Sequence, residues 1–110
     1  MIDNIKVKGA TLNAQVMGEG PPIVFLHGLG ADMSVFDGLA HRFPDHKIIR
    51  FDLRGQGQSS APDGPYSMGG LIADTEAVLD HYDVRDAVVF GLSMGGMIAQ
   101  GLAVKRLDLV

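Results

Sequence analysis

The chain has 110 residues, a formal net charge of −4 and a pI near 5.3; this fits one domain and argues against nucleic acid or an anionic membrane surface as a partner. It has no cysteine, which excludes a disulfide framework and thiolate catalysis. No apolar run approaches bilayer length, and Met1-Ile2-Asp3-Asn4-Ile5-Lys6 lacks the basic-then-apolar order of a signal peptide, so the expectation is a cytoplasmic protein with no membrane association.

Ile5 to Val7 and Leu12 to Met17 read as two short strands around a Gly9-Ala10 turn, hence a hairpin. Gly18 to Pro22 is a loop, because its two prolines cannot join a ladder. Ile23-Val24-Phe25-Leu26 is an unbroken apolar run of strand length, the pattern of a strand buried on both faces. It runs into His27-Gly28-Leu29-Gly30-Ala31-Asp32. Met33, Phe36, Leu39, Ala40 and Phe43 then recur at helical spacing, with Asp32 or Ser34 as cap and Pro44 as stop.

Lys47 to Asp52 is a further buried strand, and Leu53 to Pro65 is a loop rich in Gly, Gln and Ser. Ser67 can cap a helix whose apolar stripe is Leu71, Thr75, Val78, Leu79 and Tyr82. Gly69-Gly70 costs that helix about 1 kcal/mol per glycine against alanine and loosens its start. Ala87 to Leu92 is a strand, Met94 to Lys105 a helix, and Leu107 to Val110 the approach to another strand. Strand and helix alternate from Ile23 onward, which implies βαβ units and a parallel sheet.

The chemistry sits where the fifth strand meets its helix. Gly91-Leu92-Ser93-Met94-Gly95 is a Gly-x-Ser-x-Gly sequence between an apolar strand and a small-residue helix. Such a turn lifts a serine hydroxyl clear of a sheet, with Gly91 and Gly95 sparing it a clash. The five-residue pattern alone is common; the flanking strand and helix give it weight. The plain alternative for Ser93 is a capping serine. A serine nucleophile needs a base, and acyl transfer needs donors aimed at the oxyanion. The N–H of Met94 and that of Leu29, in the Gly28-flanked loop after the third strand, are the candidate donors.

His27-Gly28-Leu29-Gly30, then Asp52-Leu53-Arg54-Gly55-Gln56-Gly57-Gln58-Ser59, then Gly91-Leu92-Ser93-Met94-Gly95-Gly96 resemble, in order and spacing, the N-terminal half of an α/β-hydrolase. The elbow through Gln100 and Gly64-Pro65-Tyr66-Ser67 resemble the 3-oxoadipate enol-lactonase branch. Two departures are Gln56, where the family commonly has histidine, and Gly69-Gly70, where larger residues are usual. The resemblance implies an α/β fold: a partial α/β-hydrolase sheet, with an N-terminal hairpin and parallel βαβ units, lacking the C-terminal strands and cap. Residues 1–110 are then a single truncated domain. It implies hydrolysis of a small ester or lactone through an acyl-enzyme, with Ser93 as nucleophile and Leu29 and Met94 at the oxyanion. No cofactor and no metal are expected.

The family's acid and histidine follow the elbow, where only 15 residues remain after Gly95. His27 more naturally orders its loop than acts as base, and His41, His46 and His81 read as surface residues. Asp52 reads as a strand-end carboxylate bonding, with Arg54, to the following loop. The methionines 33, 94 and 97 read as packing. The chain is therefore expected to be inactive alone. The resemblance also implies that the Ala87–Leu92 strand is left as an apolar edge, which invites self-association or a complementing C-terminal segment. Alternatives are a non-catalytic association module, one half of a split hydrolase, or a peroxidase-like or C–C bond hydrolase on the same fold.

Overall fold

The computed structural model describes residues 2–110. One mixed sheet is built from β1 (Ile2–Val7), β2 (Ala10–Met17), β3 (Pro22–Leu26), β4 (Lys47–Phe51) and β5 (Val88–Gly91). Three helices accompany it: α1 (Asp37–Ala40), α2 (Met68–His81) and α3 (Met94–Lys105). The strand order is β1-β2-β4-β3-β5. The hairpin is antiparallel, β2 pairs antiparallel with β4, and β3 runs parallel to both β4 and β5.

The pleat sorts the apolar runs onto two faces. Val24 and Leu26 of β3 and Ile49 and Phe51 of β4 join Leu71, Val78 and Leu79 of α2 and Ile98 and Leu102 of α3 in the larger core. Ile23, Phe25 and Ile48 point the other way and pack with Phe36 and Ala40. Burial on both faces explains why β3 and β4 show no polar alternation. Each fully buried Leu, Ile or Phe contributes roughly 1.5–3 kcal/mol of transfer free energy.

Two expected elements differ. The stretch from Met33 to Phe43 is not one helix: Met33–Phe36 is a 3₁₀ turn, and α1 is a single turn ending at Ala40. Asp32 does cap it, accepting from the Ser34 N–H at 2.9 Å. Tertiary hydrogen bonds override the helical spacing, since the Met33 N–H goes to Asp52 and its carbonyl to Arg50. Leu107–Leu109 forms a turn rather than a strand, although the Leu109 carbonyl already accepts from the Ala87 N–H at 2.8 Å. β5 lies at the edge of the sheet, as the family resemblance implies.

Candidate active site

The parallel strands end at one rim of the sheet, and the conspicuous residues collect there. β5 passes through Leu92 into Ser93, and α3 starts at Met94. Ser93 has φ 54° and ψ −116°, a conformation outside every region comfortable for a residue with a side chain. Such strain costs on the order of 1–3 kcal/mol and persists only where neighbours over-determine it. Here they do. The Leu92 N–H donates to the Leu26 carbonyl at 3.0 Å, and the Gly95 and Gly96 N–H groups turn back to Leu92 and Ser93. A methyl group on Gly91 would overlap the Gly95 carbonyl, and one on Gly95 would overlap the Leu26 carbonyl.

Ser93 stands at the N-cap position of α3, yet its side chain makes no capping hydrogen bond. The capping alternative fails on that point: the hydroxyl is exposed and uncommitted. The Met94 N–H is a first-turn donor with no partner inside its helix. A methyl group on Gly28 would come within 3.3 Å of the Ser93 Cβ, so the loop after β3 abuts the elbow. Leu29 follows, 77 % exposed, and among the described residues its N–H has no acceptor. Ser93, Leu29 and Met94 are thus brought to one place.

His27 is fully buried beneath this loop. Its Nε2 accepts the Leu53 N–H at 2.9 Å, so Nδ1 carries the proton and donates to the Gly28 carbonyl at 2.7 Å. Both ring nitrogens are used in ordering the backbone. His41 and His46 lie ahead of β4, at the opposite end of the parallel strands, and His81 packs on Tyr82 at the end of α2. Among the described residues no histidine reaches Ser93.

Asp52 is a buried hub. Its Oδ1 accepts the Met33 N–H at 2.8 Å, while Oδ2 accepts the Gln58 N–H at 2.8 Å and the Asn13 amide at 3.0 Å. Its expected companion Arg54 turns elsewhere: the guanidinium grips both oxygens of buried Asp74 at 2.6 and 2.8 Å. That pairing holds the Arg54 pKa above its already high ordinary value. Asp74 gives no sign of this in the sequence, where it reads as a polar residue beside the apolar stripe of α2.

A pocket of about 240 Å³ opens beside the elbow, lined in part by Leu29, Gln56, Tyr66, Leu71 and Met94. Met94 therefore faces the pocket, whereas Met97 is exposed. Gln56, which shows in the sequence only as a departure, accepts the Gly30 N–H at 2.6 Å. No three metal-ligating side chains converge among the described residues.

Strand, strained serine turn and helix follow one another here in a mixed α/β sheet. The α/β-hydrolase fold family matches residues 21–110, and the chain belongs to that family. It is 35 % identical over 105 residues to 3-oxoadipate enol-lactonase 2 of Acinetobacter baylyi, covering 93 % of this chain and 39 % of that protein. The solved enol-lactonase of Burkholderia xenovorans superimposes with a TM-score of 0.90 at 30 % identity, over 100 % of this chain and 44 % of that one. A solved N-acyl homoserine lactone degrading enzyme gives 0.92 at 34 % identity, over 96 % of this chain and 41 % of that one. The chain thus spans about two fifths of the relatives it matches.

Proposed function

We propose that the chain carries the nucleophile and oxyanion portion of a serine hydrolase acting on carboxylic esters or lactones. The observation that carries this reading is the backbone of Ser93 at φ 54° and ψ −116° with its hydroxyl uncommitted. Ser93 Oγ attacks the acyl carbon and its proton passes to a histidine. The oxyanion is held by the Leu29 and Met94 N–H groups, and the leaving alkoxide takes the proton from the histidine. Water then releases the acyl group. An enol-lactone of a small dicarboxylic acid is the preferred substrate, supported by the two enol-lactonase relatives.

The base and its acid come from outside these 110 residues. Support lies in the commitment of both His27 nitrogens to the loop and in the distance of the other three histidines from the elbow. Losing the histidine of a serine–histidine unit costs on the order of a millionfold in turnover, so the chain alone is expected to be inactive. Labelling with a fluorophosphonate, read by intact mass, tests the reading. Stoichiometric labelling abolished by Ser93→Ala is expected once a complementing C-terminal segment is supplied. A folded, complemented sample that stays unlabelled would refute it.

A second reading, a non-catalytic association module, draws on one observation. The outer face of β5 is apolar and open, with Val88 64 % and Phe90 43 % exposed. A module of that kind needs no reactive serine, and the same labelling separates the two.

A further inference from the structure

The loop after β3 and the loop after β4 are joined by three hydrogen bonds. Two are rooted in buried side chains, Met33 N–H to Asp52 and Leu53 N–H to His27. They hold the base of each loop. The third lies at the tips, where the Gly30 N–H donates to Gln56 Oε1 at 2.6 Å across 26 positions of sequence. Gly30 is the residue after Leu29 and has a φ of 79°, and a methyl group built on it would meet open space. Gly30 lies inside a turn closed by the Ala31 N–H, which donates to the Gly28 carbonyl at 3.2 Å, and its own N–H finds its partner in Gln56.

Gln56 is itself rigidly presented. It sits between Gly55 at φ 81° and Gly57 at φ 55°. A methyl group on Gly55 would meet the Tyr66 ring at 2.5 Å, and one on Gly57 would overlap the Asp52 carboxylate. The Gln56 N–H and carbonyl are also tied, to Leu53 and Ser59. A fixed backbone carries the amide, and the amide fixes Gly30. The Gly30 N–H is thereby engaged, while the neighbouring Leu29 N–H has no acceptor among the described residues.

We propose that Gln56 is a positioning residue that braces the Leu29–Gly30 peptide so that the Leu29 N–H faces Ser93. This rests on Leu29 serving as an oxyanion donor. Gln56 touches no reacting atom in this scheme; it acts through Gly30.

Amide exchange on the ¹⁵N-labelled full chain tests it without needing a reactive serine. Gln56→Met keeps the length and removes the acceptor; Gln56→Glu keeps the reach and restores an acceptor. Gly30 exchange is expected to quicken about tenfold in Gln56→Met and to return towards wild type in Gln56→Glu at pH 7, with the Leu29 amide shift following the same pattern. The Ile49 and Leu53 amides report folding and are expected to stay unchanged. Equal Gly30 exchange in wild type and Gln56→Met overturns the proposal, as does a Leu29 shift indifferent to both changes. If Gln56→Met unfolds, Gln56→Glu alone decides, through retained or lost Gly30 protection. Failure of Ser93 to label with fluorophosphonate would count against the hydrolase reading and leave the exchange result standing.

Discussion

Ser93 is held where a side chain is unwelcome. A glycine in its place relieves the strained φ, so Ser93→Gly should raise stability by about 1 kcal/mol while removing the hydroxyl. For a chain of this size that is a rise in Tm of about 4 °C or more by calorimetry. A Tm unchanged or lowered would show that the backbone at Ser93 carries no strain. The sequence made the elbow readable because Gly91 and Gly95 report close approaches of backbone to backbone, a requirement only glycine meets. Gln56 was readable only as an oddity. A side chain that reaches across 26 positions to a backbone N–H leaves no local pattern. His27, by contrast, was legible as a loop-ordering residue from its place in the motif, and its two hydrogen bonds supply the means.

Among the elements, the strands and α3 lie close to where periodicity puts them, and α1 does not. Met33, Phe36, Leu39, Ala40 and Phe43 have helical spacing, but the backbone groups at Met33 are claimed by Asp52 and Arg50 from another strand. Local spacing cannot report a competitor that folding brings from 17 or 19 residues away. The same blindness hides Asp74, which anchors α2 to the loop after β4 through Arg54. With side chains only 17 % and 4 % exposed, this pair is close to the buried limit, where removing one partner strands the other charge. Arg54→Met and Asp74→Leu should each destabilise by about 3 kcal/mol. The double variant should recover much of that loss, by denaturant unfolding. Strictly additive losses would mean that the two residues act separately.

At the scale of the molecule, the sheet offers β5 as an edge whose outer side chains are apolar. Exposed edges of this kind template pairing with another chain. Sedimentation should show concentration-dependent association of the isolated chain, and Val88→Lys should shift it toward monomer. A wild-type chain monomeric at every concentration would leave that edge without a role in association. The larger core is unaffected by this choice, because Val88 lies outside it.

The order of the strands also governs the order in which the sheet can assemble. β1 and β2 close as a hairpin as soon as they exist, but β3 follows with neither of its neighbours yet made. Its two partners, β4 and β5, both lie later in the chain. β4 alone touches both the hairpin and β3, so it is the keystone of the arch. During synthesis, Ile23-Val24-Phe25-Leu26 must wait, apolar and unpaired, until Phe51 has left the ribosome. The interval is 25 residues of growth, and in it this chain is at its most exposed to mispairing.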